Sequence, residues 1–204
     1  KQFFADVPPE ATIGVAVSGG SDSVAMLLAL REALPVAKLR AATVNHGLRA
    51  EAAAEARWVK ALCLSLGIAH DILPVRDLAP GSNLQARARM VRYDALAAWG
   101  QECNQLCLGH SQTDLAETFL IRLARGSGVD GLCAMQARWQ DRAIDWARPL
   151  LAFSRTDLRV YLGECGQSWC DDPSNDDPAY TRVQMRQAQP QLDDLGLSAE
   201  RLAK

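Results

Sequence analysis

The sequence predicts an α/β domain: a doubly wound, parallel, five-stranded Rossmann-like sheet followed by a short helical C-terminal extension. Two observations carry this expectation. Short apolar, β-branched runs alternate with longer helical stretches, and parallel strands need such crossovers. The first run also meets a Gly-Gly turn before a helix, the strand–turn–helix unit of which such sheets are built.

Thr12-Ile-Gly-Val-Ala-Val17 reads as the first strand, and Val24 to Leu30 lies in the helix after the turn. Ala41 to Asn45 follows as a strand, Glu51 to Leu66 as a helix, and Ala69 to Val75 as a strand closed by Pro74 and Asp77. A helix is expected from about Asn83 to Trp99, a strand at Gln105 to Gly109 and a helix from Ser111 to Arg125. Gly126-Ser127-Gly128 ends that helix, and Arg142 to Ala147 is read as the fifth strand, running into Arg148-Pro149. Arg155 to Gly163 reads as a helix, Asp171 to Pro178 as an acidic turn-rich loop, and Gln191 to Lys204 as a further helix capped at Gly196-Leu197-Ser198. These signals divide the chain into an α/β domain at 1–150, a helix and acidic loop completing it at 151–186, and the start of a linker or helical domain at 187–204. On this reading the chain is the front portion of a longer protein, or a very short version of one.

The 204 residues are 49% hydrophobic and 23% charged, enough for a substantial core. The formal charge of -2 excludes a generally basic nucleic-acid-coating protein, so a polyanion partner must meet a local basic patch. Eighteen arginines stand against four lysines, a bias that suits anionic ligands but also follows from GC-rich coding. No apolar run reaches the roughly 18 residues that span a bilayer, and the first residues lack a signal-peptide core, so no membrane association and a cytoplasmic location are expected. The cysteines at 63, 103, 107, 133, 165 and 170 form no CxxC pair, which suits buried free thiols better than disulfides or zinc.

In a doubly wound sheet, ligands sit beyond the carboxyl ends of the strands, where the first strand delivers Ser18-Gly19-Gly20-Ser21-Asp22-Ser23. Two glycines permit a sharp turn whose N–H groups, with the helix dipole, suit a phosphate or pyrophosphate. Neither GxxxxGK[ST] nor GxGxxG is present. Asp22 is out of place in an anion nest unless a divalent cation bridges it to phosphate. The alternative is that Ser21 caps the helix and Asp22 supports its first turn. Asp114 and Glu117 share a helix face, and two carboxylates beside a phosphate site require a cation, either a metal or an ammonium group. Simpler roles are a capping box of Ser111 with Asp114, a turn position for His46, and a solvated stripe for Arg89 and Arg92.

The order SGGSDS after an apolar strand resembles the pyrophosphate loop of the N-type ATP pyrophosphatases, the adenine nucleotide alpha hydrolase-like PP-loop enzymes. Further motifs are Asn45-His46-Gly47-Leu48-Arg49, then Asn83 with Ala88-Arg89 and Arg92-Tyr93, and Leu108-Gly109-His110 with Asp114 and Glu117-Thr118. They continue through Arg125-Gly126-Ser127-Gly128 with Gly131-Leu132, Arg148-Pro149-Leu150-Leu151, and Asp172-Pro173-Ser174-Asn175 with Tyr180, Arg182 and Arg186. In this order they resemble the bacterial tRNA(Ile)-lysidine synthase family from about residue 12 to 202. The resemblance implies a carbon–nitrogen ligase of tRNA modification: ATP and Mg²⁺ adenylate the wobble cytidine of an isoleucine tRNA with a CAU anticodon, and free lysine then displaces AMP. It implies ATP contacts from Ser18, Gly19, Gly20, Ser21, Asp22, Ser23, Asn45, His46, Gly109 and His110, with Asp22 holding the metal. Asp22 and Asp114 would be catalytic, Asp114 and Glu117 would hold lysine, and Arg89, Arg92, Arg182 and Arg186 would contact nucleotide or substrate. A homodimer is compatible with it.

The pattern departs from the family at Thr113, where a second aspartate is usual, and at Ser111, Gln85 and Val183-Gln184. Family members generally continue into C-terminal tRNA-recognition domains. A tRNA thiolase of the same superfamily is the alternative enzyme, set aside because no cysteine lies between residues 1 and 62. A regulatory domain that holds ATP without chemistry is the other alternative, and it does not need Asp22, Asp114 and Glu117 around an anion site.

Overall fold

Alternation of period two decides which side of the first strand meets which helices. In a computed structural model, which describes residues 2–4, 7–8, 10–47, 51–75, 84–132, 135–171, 177–178 and 180–203, β1 spans Ile13–Ala16. Ile13, Val15 and Val17 enter one apolar cluster, whereas Ala16 packs against a second. The first cluster takes α1 (Ser21–Ala33), α2 (Ala52–Ser65) and α6 (Arg155–Glu164). The second takes α3 (Leu84–Gly100), whose Tyr93, Leu96 and Ala97 cover Leu106, Leu108 and Trp146. The sheet is thus sheathed on both faces.

Its other strands are β2 (Leu39–Asn45), β3 (Ala69–Pro74), β4 (Gln105–Leu108), β5 (Arg138–Asp141) and β6 (Ile144–Ala147), in the order β3-β2-β1-β4-β6-β5. All neighbours are parallel except β5 and β6. Chain order runs one way from β1 to β2 and the other way to β4, so a crevice opens beyond the carboxyl ends of β1 and β4.

Six strands replace the five expected. Residues 142–147, read as one strand, are a hairpin turn followed by β6. Arg142 and Ala143 have φ of 53° and 57°, the left-handed pair that a two-residue hairpin demands, and β5 precedes them. Asn-Gly would have announced such a turn; Arg-Ala conceals it.

The remaining helices are α4 (Gln112–Ala124), α5 (Val129–Leu132), α7 (Thr181–Gln187), α8 (Gln189–Asp194) and α9 (Ala199–Leu202). The single helix expected from Gln191 is two short ones, because Gly196 adopts φ +78° and Ser198 caps a new start. α7 and α9 both pack on α4. No described helix is long and apolar enough to cross a membrane. Of the described cysteines, Cys63 and Cys107 are buried, Cys103 and Cys170 are half-buried and Cys165 is exposed, and all are free thiols. The motif residues Leu48, Arg49, Asn83 and Asp172 to Asn175, and the Gln85 side chain, lie outside the described residues.

Candidate active site

The turn after β1 begins with Gly19 at φ +98°, a conformation that glycine alone adopts without strain. Its carbonyl accepts the Cys170 N–H at 2.9 Å. Gly20 occupies the cap position of α1 and supplies no side chain to it. Ser21 is therefore the first helical residue, and its hydroxyl donates to Asp22 Oδ1 at 2.9 Å instead of capping the helix. Ser23 ties the turn inward, donating to the Gly20 carbonyl at 2.9 Å and accepting the Ser18 N–H at 3.1 Å. The amino end of α1 thus keeps its dipole and N–H groups free of side-chain caps.

The turn after β4 lies against it. A Cβ on Gly109 would stand 2.9 Å from Ser23 Cα and 3.1 Å from the Asp22 carbonyl oxygen. Ser111 comes next, and its hydroxyl is 3.1 Å from Asp22 Oδ2 and 3.1 Å from Asp114 Oδ2, joining the two turns. Asp114 Oδ2 also accepts the Ser111 N–H at 2.9 Å. The capping box is real, but it consumes only one oxygen of Asp114.

Both carboxylates, with that of Glu117, also meet a residue that the sequence did not single out. Arg155, the first residue of α6, points Nε at Asp22 Oδ2 (3.2 Å), Nη2 at Asp114 Oδ1 (3.4 Å) and Nη1 at Glu117 Oε1 (3.6 Å). Its backbone N–H donates to Thr113 Oγ1 at 3.1 Å, so the threonine standing in place of a usual aspartate anchors this arginine. Burial alone would lower the guanidinium pKa, but Asp22, Asp114 and Glu117 together raise it above its ordinary value. Burial likewise opposes ionisation of Asp114, yet Arg155, the Ser111 N–H and Arg182 hold its carboxyl below the usual range. At the amino terminus of α6 this cation opposes the helix dipole, and the three carboxylates offset that cost.

Glu117 is 3% exposed; Oε1 also accepts from Arg186 Nε at 2.9 Å, whereas Oε2 is buried without a hydrogen-bond partner. Arg186 is accordingly tied to this carboxylate, and Arg182 donates to Thr118 Oγ1 at 3.4 Å.

His110 is buried, and its Nδ1 accepts from Arg148 Nε at 3.1 Å. Burial pushes its pKa down to about 3, with Arg92, Arg148 and Arg89 adding to the effect and Asp114 opposing it. The ring is neutral, as an acceptor must be. Arg148 is stacked over Trp139 at 3.8 Å, which fixes the fork that His110 meets.

Arg89 and Arg92, the two α3 arginines expected at the nucleotide or substrate, divide. Arg89 is exposed and lies over its i+4 neighbour Tyr93, donating to the hydroxyl at 3.1 Å. Arg92 faces inward, where burial and then Arg89 and Arg182 lower its pKa. A shared solvated stripe therefore describes Arg89 alone. Beyond β2, Asn45 Oδ1 accepts the Gly47 N–H at 3.0 Å in a local turn, and burial followed by Arg92 lowers the pKa of half-buried His46.

Cys170 reaches the glycine turn from far along the chain, with Sγ 3.5 Å from where a Gly19 Cβ would stand. Lack of a cysteine before residue 63 thus does not keep thiols away from the loop, as the sequence reading assumed. Burial, then Glu55 and Asp171, raises this thiol's pKa, which suppresses the nucleophilic thiolate.

A PP-loop domain model matches residues 1–192. A tRNA(Ile)-lysidine synthase of Ruegeria pomeroyi is 42% identical over all of this chain and 49% of its own length. Enzymes of that name from Zymomonas mobilis and Hyphomonas neptunium are 42% and 47% identical, covering 88% and 85% of the chain and 56% and 49% of theirs. The chain spans about half the length of these curated relatives. In fold it is similar to the U34-tRNA thiolase NcsA of Methanococcus maripaludis, with its [4Fe-4S] cluster, at TM-score 0.78 and 18% identity over 98% of this chain and 72% of that one. The NH3-dependent NAD synthetase of Campylobacter jejuni gives TM-score 0.52 and 13% identity over 92% and 77%.

Proposed function

The chain belongs to the PP-loop domain family, and from that premise we propose that it is the catalytic region of a tRNA(Ile)-lysidine synthase. In this reading O2 of the wobble cytidine in a CAU anticodon attacks the α-phosphorus of ATP, and the bond to the β-phosphate breaks to release pyrophosphate. The ε-nitrogen of free lysine then forms a bond to C2, the C2–O2 bond breaks, and AMP leaves carrying that oxygen.

One observation carries the proposal: Asp22, Asp114 and Glu117 meet on one guanidinium beside a glycine turn whose helix has no side-chain cap. The turn suits phosphates, with Ser18 to Ser23 around them and Gly109 keeping the neighbouring turn close. Asn45, His46 and His110 stand at the same sheet edge for the nucleotide, and Arg89, Arg92 and Arg182 supply positive potential for its phosphates or the tRNA backbone. Asp114 and Glu117 hold the substrate ammonium. Glu117 Oε2, buried without a partner, is suited to accept one of its protons.

A magnesium ion fits Asp22, since a carboxylate completed by phosphate oxygens is the hard donor set that this ion prefers. When bound it would neutralise phosphate charge and ease pyrophosphate departure. A thiolase reading gains nothing from the fold likeness, and the one described cysteine at the turn is held as a thiol.

The test incubates the chain with ATP, magnesium, labelled lysine and unmodified tRNA. Label on the tRNA, with one AMP and one pyrophosphate formed per lysine attached, is expected. Nucleotide binding without transfer, at any tRNA concentration, would refute the proposal.

A further inference from the structure

Three acids and two arginines are in ion-pair contact at the centre of the site, and Arg182 acts on Asp114 from further off. Asp22, Asp114 and Glu117 face Arg155, and Glu117 also faces Arg186. Arg155 has no dedicated partner: each of its three nitrogens faces a different carboxylate, at 3.2, 3.4 and 3.6 Å. A fork spread over three acids at such lengths has weaker bonds than the two short parallel ones that arginine makes with a single carboxylate. Its side chain is 21% exposed, whereas its backbone is pinned by Thr113, so the head can swing while the backbone stays put.

We infer that Arg155 is a placeholder cation, which neutralises the lysine pocket in the empty site and turns to the phosphates when ATP arrives, making lysine binding depend on bound nucleotide. This rests on the reading of Asp114 and Glu117 as the lysine pocket. ATP brings several negative charges to the glycine turn, next to Asp22, where Nε of Arg155 already lies. Those charges draw the guanidinium off Asp114 and Glu117, and the substrate ammonium takes its place. By linkage, lysine favours nucleotide to the same degree that nucleotide favours lysine. Its effect on lysine runs through the two carboxylates that it covers and then leaves.

Equilibrium dialysis of labelled lysine against the 204-residue chain, with and without a non-cleavable α,β-methylene ATP and magnesium, tests this. The native chain should bind lysine about tenfold more tightly with the analogue, within the range usual for coupled sites. Arg155→Gln should bind lysine without the analogue as tightly as the native chain does with it, leaving a ratio near one. Arg155→Lys, which keeps the charge but not the fork, should give an intermediate ratio and serves where the glutamine variant is unstable. Equal coupling in the native and Arg155 variants, or weaker lysine binding by Arg155→Gln in both conditions, would overturn the inference. Failure of the native chain to bind lysine in either condition would overturn the pocket reading itself.

Discussion

Gly109→Ala should damage the nucleotide turn without altering any charged group. The added methyl would stand 2.9 Å from Ser23 Cα, 3.0 Å from Ser23 N and 3.1 Å from the Asp22 carbonyl oxygen, where ordinary contact begins at 3.4 Å. All three atoms are backbone of the first turn of α1, so no side chain can rotate out of the way. Either that turn or the Gly109 strand end must retreat by about half an ångström, a relaxation that in packed interiors costs roughly 1–3 kcal/mol. Because misplacement by about 1 Å can cost on the order of a hundredfold in rate, half that shift should slow pyrophosphate release about tenfold. Urea unfolding and a pyrophosphate-release assay measure the two effects. Gly20→Ala is the stability control, since its methyl meets only Ser18 Oγ at 3.8 Å and its φ of -70° suits any residue. A Gly109→Ala protein with the native urea midpoint and the native rate of pyrophosphate release would refute the close-approach argument.

Glu117→Gln should raise the half-saturating lysine concentration by about ten- to a hundredfold, from the loss of a charged hydrogen bond of about 1.5–3 kcal/mol, with little change for ATP. Steady-state kinetics in each substrate would show it, and equal weakening for both would remove Glu117 from a dedicated lysine pocket. His110 makes stability sensitive to acid: with its pKa moved from 6.5 to about 3, the unfolded chain gains a proton that the folded chain refuses as pH falls below 6.5. Between pH 7 and 5 the native protein should therefore lose on the order of 2 kcal/mol more than His110→Gln in urea titrations. Parallel losses would mean that the folded ring protonates freely.

The alternation that set β1 to β4 and their helices was legible because both faces of the sheet are covered, which leaves the central strands β1 and β4 as short, mainly apolar runs. Asp114 and Glu117 were legible as a pair because their spacing is local to one helix. Arg155 was not, because its meaning lies in carboxylates contributed by α1 and α4, and one arginine opening a helix reads as solvated surface. Cys170 escaped for the same reason, since its contact with Gly19 crosses most of the chain. The β5–β6 hairpin was lost for a local one: Arg142 and Ala143 carry none of the residues that usually mark left-handed turns.

The bond from Cys170 to the Gly19 carbonyl has a bearing on biosynthesis. At translation rates of about 5–20 residues per second, many seconds separate emergence of the glycine turn from that of the segment that closes it. Over the same interval Asp22, Asp114 and Glu117 leave the ribosome ahead of Arg155 and Arg186, the cations that offset them. A nascent chain halted before residue 155 therefore carries three mutually repelling acids, and the site matures only as its last segments arrive.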